Sequence, residues 1–430
     1  MKPVYYPEVD ETLHMEVLEN GLTVAVLPRK GFSLKTAYFV TNFGSIHTEF
    51  TLDGVHHQVP AGIAHYLEHK LFDMPDGRDV SAEFAAMGAG VNAFTSYDVT
   101  AYYFFGTQRF YEGLRLLLEF VSTPYFTEES VEKERGIIDQ EIGMNLDSPE
   151  TMIFENLTQT MYEKHKIRVP ILGTSESIRQ ITPENLHLCH RAFYTPANMM
   201  LCVVGDVEPE QVCSLAREVL GSHCASVGIK DDYPEESMTL SQKEVSQEMD
   251  ITVPSVQLAF KCEPLGLGEE AIRQEMVAEL ACDLLFGETS PLYRQLYEAG
   301  IIDSSFGGGF ETIDGCALLL CDCDTDQPEA VRNGIFAEVE RLNQEGISEE
   351  AFLRIKRSSL GRRIRSLDSM DATCYRICAY HLSGFDYFRF PELYRTIEKQ
   401  ELLDFLTRVV RQERCCLSTI IPMKKEESDQ

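Results

Sequence analysis

Two histidines four residues apart, with a glutamate between them, form the densest group of chemically capable side chains in this sequence. They lie in Gly62-Ile63-Ala64-His65-Tyr66-Leu67-Glu68-His69-Lys70-Leu71-Phe72. The spacing predicts a helix over Gly62 to Phe72, from which His65 and His69 project on one face, so that two imidazoles can meet one cation. Glu68 stands on the same side, three residues from His65. A carboxylate there can take a proton from water at the metal without being a ligand itself. The order His-x-x-Glu-His is the reverse of the commoner His-Glu-x-x-His. Two neutral imidazoles, a carboxylate still to be found and an open position for water suit zinc. A half-buried helix with merely hydrogen-bonded histidines would show the same residues, so the third ligand decides.

The carboxylate has a candidate. Thr127 opens a second helix, with Glu128, Glu129 and Glu132 in its first turns, where acids suit the helix dipole. Further along, Glu134 and Glu141 stand seven apart, about two turns, and share a face that partly overlaps Ile137 and Ile138. Laid beside the histidine helix, Glu141 can complete the ligand set and Glu134 can act on it from behind. The competing reading is a charged, solvated face, above all for Glu134.

These helices need a scaffold. The chain has 430 residues, which at roughly 100–200 per domain implies two or more domains. With 44% apolar residues it buries a sizeable core without disulfide or metal staples. A polar, acid-rich stretch at 226–247 separates an N-terminal domain, 1–225, from a C-terminal domain, 248–430. Pro183 to Gly205 reads as a helix running into a strand, and Lys399 to Pro422 repeats that order, which suggests a duplicated unit. In the first half Gly21 to Leu27, Thr36 to Asn42 and Asn92 to Phe105 read as strands, and Phe110 to Val121 as a helix. Strands with interspersed helices and no Gly-rich phosphate loop argue for an α+β fold. Gly307 to Gly309 reads as a bulge or tight bend, since no Gly-Lys-Ser/Thr follows.

Composition removes whole classes of partner. There are 38 Lys and Arg against 69 Asp and Glu, a net charge of −31. Such a surface repels phosphate backbones and anionic headgroups, so neither nucleic acid nor a membrane surface is expected to bind, and basic peptides fit better. Met1 to Asp10 lacks the pattern of a signal peptide, and no apolar run reaches transmembrane length. The 13 cysteines are scattered through apolar segments, as expected of free thiols in a reducing cytoplasm. Cys321/Cys323, Cys374/Cys378 and Cys415/Cys416 lack the second pair that a zinc site needs. His56-His57 reads as a polar loop, His187, His190 and His381 as structural, and the tail from Lys424 to Gln430 as frayed.

The chain resembles the insulinase/pitrilysin-like inverzincin metallopeptidases, which include the mitochondrial processing peptidases. Their pattern is His-x-x-Glu-His followed roughly 70–80 residues later by Glu-x6-Glu; here Glu141 lies 72 residues after His69. The likeness extends to Glu19-Asn20-Gly21-Leu22, Asn92-Ala93-Phe94-Thr95-Ser96, Tyr194-Thr195-Pro196-Ala197-Asn198-Met199, Val203-Val204-Gly205-Asp206 and Ser290-Pro291-Leu292-Tyr293. It thus covers nearly the whole chain in order. It implies two homologous α/β-sandwich domains, each a mainly antiparallel sheet packed against helices. It also implies one zinc per chain held by His65, His69 and Glu141, with Glu68 as general base and Glu134 as auxiliary acid. Asn92, Ala93, Phe94 and Thr95 would be the edge strand to which substrate adds.

One departure stands in the second half. The family commonly carries an Arg and, seven residues on, a Tyr that orient substrate and stabilise the tetrahedral intermediate. The matching positions are Tyr297 and, with a one-residue deletion, Asp303, and a carboxylate repels developing negative charge. The resemblance therefore implies the zinc-bearing subunit of a bacterial-type heterodimer, cytoplasmic, whose homologous zinc-less partner supplies the Arg/Tyr pair; a homodimer fits this less well. The expected activity is zinc-dependent endoproteolysis of short or unfolded peptides. The alternatives are a catalytically silent scaffold on the same fold and a dedicated leader-peptide processing enzyme.

Overall fold

Strand formation follows the β-branched and aromatic runs, and a computed structural model describes residues 1–221, 236–240 and 242–423. The first nine strands are β1 (Lys2–Tyr6), β2 (Glu11–Val17), β3 (Thr23–Pro28), β4 (Lys35–Thr41), β5 (Glu49–Leu52), β6 (Val55–Gln58), β7 (Ala89–Thr95), β8 (Thr100–Gly106) and β9 (Met199–Gly205). Five more follow: β10 (Glu244–Met249), β11 (Ser255–Cys262), β12 (Gly307–Ile313), β13 (Cys316–Asp324) and β14 (Cys415–Pro422). The fold is α+β, with one parallel strand pair in each main sheet and every other pair antiparallel. No described helix is long and apolar enough to cross a membrane.

The chain forms two compact units. The first comprises Met1–Ile142, Val169–Asp232 and Arg363–Pro391; the second comprises Gly143–Arg168, Tyr233–Arg362 and Glu392–Gln430. The sheet of the first unit runs β1-β2-β3-β9-β4-β8-β7 and that of the second β10-β14-β11-β13-β12. Strand for strand, β3-β9-β4-β8-β7 and β10-β14-β11-β13-β12 share order and direction: β9 is parallel to β3 and antiparallel to β4, as β14 is to β10 and β11. The repeated helix-strand reading lands on this match, with Pro183–Phe193 feeding β9 and Lys399–Val409 feeding β14.

Each unit borrows a helix from the sequence of the other half. Met370–Leu382 packs on β9 and β4 of the first sheet. Pro149–Met161 packs on β14 and β11 of the second, where Met152 and Ile153 meet Met249 and Ile420. The linker read at 226–247 falls partly outside the described residues (226–235 and 241), and β10 begins at Glu244. The tail 424–430 also lies outside them.

Three local readings need correction. Asn92 to Phe105 is a hairpin, β7 and β8, and not one strand. The Ser96 hydroxyl bonds the Asp98 carboxylate and the backbone of Val99, closing the turn as Ser and Asp do. His56-His57 sits on β6 of a small hairpin, with the His57 ring 5.6 Å from Phe50. Gly307 to Gly309 is neither bulge nor bend but regular edge strand in β12. The 12 described cysteines are all free and buried.

Candidate metal centre

The histidine helix, Ile63–Lys70, starts where only glycine fits. Gly62 has φ of 86°, and a Cβ there would lie 2.3 Å from the carbonyl oxygen of Leu172. From that cap the helix buries Ile63, Ala64, Tyr66 and Leu67, turning His65, Glu68 and His69 together toward the helix Glu128–Leu146. Two contacts lock the pair of helices. The Tyr66 hydroxyl donates to the carbonyl of Val131, and the buried Lys70 ammonium reaches the Ser130 carbonyl at 3.2 Å and the Asp73 carboxylate. Neither residue stands out by chemistry, although a lysine on the apolar side of a helix is a signal, because burying it requires partners.

Glu141 lies across from both imidazoles. Its two carboxylate oxygens are 3.7 Å from His65 Nε2 and 3.7 Å from His69 Nε2. Those separations exceed a hydrogen bond. They are close to the roughly 3.4 Å between two ligands on one tetrahedral zinc with bonds near 2.1 Å. One donor atom from each of the three residues lies within 4.8 Å of the others, and no other such group occurs among the described residues. Glu134 stands behind His69, its Oε1 3.0 Å from Nδ1, which leaves Nε2 facing the gap.

The electrostatics suit a cation. Burial, followed by the nearby His69, pushes the His65 pKa down to about 3, so its imidazole is neutral with a lone pair available. Its Nδ1 is buried without a partner. Burial acts the same way on His69, but the Glu134 hydrogen bond and the charges of Glu68, Glu134 and Glu141 outweigh it and raise its pKa. That hydrogen bond holds the Glu134 carboxyl low. Three carboxylates around two imidazoles leave the group short of positive charge, and the donor set fits zinc. Burial raises the Glu68 pKa, against a hydrogen bond from Thr95 Oγ1 to Oε2 at 2.7 Å.

All five expected residues on the two helices come together. Asn92, Ala93, Phe94 and Thr95 lie on β7, which among the described residues pairs with β8 alone and forms the sheet edge. Thr95 also orients Glu68, a role its sequence context does not reveal. In the second unit Tyr297 is half exposed and stacks on Tyr293, while the Asp303 carboxylate caps its own turn at Ser305 N. His190 is structural, bonding the Val121 carbonyl at 3.0 Å.

Comparison with known proteins agrees along the whole chain. Residues 55–175 match the family described as Insulinase (Peptidase family M16), and residues 180–359 the one described as Peptidase M16 inactive domain. An uncharacterised zinc protease of Bacillus subtilis (strain 168), YmfH, is 35% identical over 427 residues, 98% of this chain and 99% of its own. An M16-like peptidase from Alicyclobacillus acidocaldarius superposes with a TM-score of 0.92 at 32% identity, over 96% of this chain and 99% of that one. A protease from Helicobacter pylori, 19% identical, shares the fold with a TM-score of 0.83 over 95% and 99% of the two chains.

Proposed function

The chain belongs to peptidase family M16, the insulinase family, and on that premise we propose that it is a zinc-dependent endopeptidase acting on short or unfolded peptides. The observation that carries this reading is the convergence of His65, His69 and Glu141 on one point beside a carboxylate, Glu68, that is not among them. A zinc ion held there would polarise the scissile carbonyl and bring the pKa of water toward 7.

The chain's own residues do the rest. Thr95 occupies Oε2 of Glu68, leaving Oε1 to accept the proton of the attacking water and pass it to the departing amine. Glu134 accepts a hydrogen bond from Nδ1–H of His69, which fixes the tautomer and ring orientation. The free edge of β7 offers main-chain groups of Asn92 to Thr95 to an extended peptide, an attachment that depends little on side chains.

We further propose that turnover needs a homologous partner lacking the metal site. Support comes from Tyr297, which brings no guanidinium where the family places its Arg, and from Asp303, which brings no phenol where it places its Tyr. The purified chain is expected to cut a quenched fluorogenic peptide slowly and to gain at least tenfold with the partner; equal rates with and without it would refute this part. Glu68→Gln tests the reading as a whole. It should abolish cleavage with zinc retained, whereas cleavage unchanged by the substitution would refute the reading.

A further inference from the structure

Three cysteines far apart in sequence meet inside the first unit. Cys202 lies on β9, and Cys374 and Cys378 lie on Met370–Leu382, the helix that packs on β9 and β4. Asp371, Cys374 and Cys378 are spaced i, i+3 and i+7, so they share one helical face. That face is seated on the row in which Cys202 pairs with Tyr38. The Tyr38 hydroxyl donates to the Asp371 carboxylate at 2.7 Å, and the Cys374 thiol donates to the Cys202 carbonyl at 3.2 Å. The sequence leaves Cys374 and Cys378 without a second pair; the fold brings them a third thiol instead.

A cysteine that serves only as a small apolar residue needs no thiol beside it. Here all three are fully buried, and the Cys202 thiol lies within hydrogen-bonding reach of both helix thiols. Their sulfurs do not converge on one point as the donors of His65, His69 and Glu141 do, so the geometry suits pairing over metal binding. Burial opposes a thiolate at Cys202, but the bonds with Cys374 and Cys378 outweigh it and bring the thiol down to about 6. Burial, followed by those same bonds, pushes Cys374 and Cys378 well up. Cys202 is thus the readiest of the three to become a thiolate, the nucleophilic form.

We propose that Cys202 is a modification site, oxidised by hydrogen peroxide and then joined to Cys374 or Cys378 in a disulfide that fastens the borrowed helix to β9. In the first step the Cys202 thiolate attacks one peroxide oxygen. The O–O bond breaks, a sulfenic acid forms, and the departing hydroxide takes up the thiol proton as water. In the second step the sulfur of Cys374 or Cys378 attacks the sulfenic sulfur. The S–O bond breaks, the S–S bond forms, and a second water leaves with that thiol's proton. Two thiols lose two electrons, and one peroxide is reduced to two waters. The bond to Cys374 spans 172 residues of chain, and cross-links over long loops restrict the unfolded chain most. Both joined elements belong to the first unit. Because the thiols are buried, the oxidant reaches them only through local opening, which makes the reaction slower than at an exposed thiol.

The test treats the full chain with hydrogen peroxide, alkylates the remaining thiols under denaturing conditions and maps cross-linked peptides by mass spectrometry. Cys202 joined to Cys374 or Cys378 is the expected result. A treated chain in which all three are recovered alkylated, or in which Cys202 is joined elsewhere, would overturn the proposal. Cys374→Ala with Cys378→Ala should abolish the cross-link at Cys202; a bond from Cys202 to another cysteine in that variant would contradict the assignment. Substitutions in the core can prevent folding, so the second arm uses the wild type alone. Amide hydrogen exchange across Met370–Leu382 should slow at least about tenfold on oxidation and recover with dithiothreitol. A mapped bond with unchanged exchange would overturn the claim that it fastens the helix.

Discussion

The two sheets share strand order and direction, yet they differ at the positions that matter for chemistry. Between β4 and β7 the first unit carries His65, Glu68 and His69 on its helix; between β11 and β12 the second carries Glu269–Phe286, which buries Ala278, Leu280, Ala281, Leu284 and Leu285. The opposite sheet face reverses this contrast. In the first unit the row Cys202, Tyr38, Tyr103 and Asn92 is roofed by aromatic contacts, with Tyr38 stacked on Tyr103 at 4.5 Å and bonded to Asp371. Phe105 lies so close over Gly90 that a Cβ there would sit 2.5 Å from its ring. In the second unit the corresponding strands leave acids and bare glycine. A duplicated fold thus places two histidines and a glutamate on one face of one copy, and acids beside bare glycine on the other face of its twin. The scaffold fixes where side chains stand, and composition decides what they do.

That contrast can be broken at its sharpest point first. Glu68→Gln keeps the shape of the first unit's helix but removes the proton acceptor, and should lower peptide cleavage by about 10²–10⁴-fold. Steady-state turnover of a fluorogenic peptide, with zinc content measured in parallel, checks this. Glu134→Gln is expected to weaken zinc binding by about 10–100-fold, because the hydrogen bond behind His69 loses its charge; competition with a chromophoric chelator gives the number. Gly62→Ala asks whether the cap positions the donors. A side chain at φ of 86° against the Leu172 carbonyl should cost about 1–3 kcal/mol in urea unfolding. Unchanged stability would show that the helix start relaxes freely.

The smallest effect belongs to the second unit, where Glu236 bonds the backbone of Glu163, Lys164 and His165 and the ammonium of Lys261. Burial works against its charge, but those donors outweigh it and hold the carboxyl down at about 2. A depressed carboxyl stabilises fully above its unfolded value, near 4.3, and that contribution is lost as pH falls toward about 2. The stability gap between the wild type and Glu236→Gln should therefore be constant above about pH 5 and shrink through that window. A gap that widened on acidification would contradict the assignment.

The candidate metal centre was legible because its signal is local. Spacings of three, four and seven residues put His65, Glu68, His69, Glu134 and Glu141 on helix faces without any knowledge of the sheet. Asn92 to Phe105 failed for the opposite reason: apolar residues flank Ser96-Tyr97-Asp98 on both sides, so the turn is carried by two short polar side chains alone. The exchanged helices, Pro149–Met161 and Met370–Leu382, have ordinary amphipathic patterns, and nothing local says which sheet they cover. Gly307 to Gly309 misled because glycine in a strand usually marks irregularity, whereas here Gly307 and Gly309 leave open a face that side chains would fill.

The most direct measurement is zinc stoichiometry of the purified chain by elemental analysis, with Glu141→Ala beside it. One zinc per chain, lost in the variant while the fold persists, is the predicted result. A folded, unchelated chain without zinc, or a variant that keeps its zinc, would contradict the three-residue site on which the account depends.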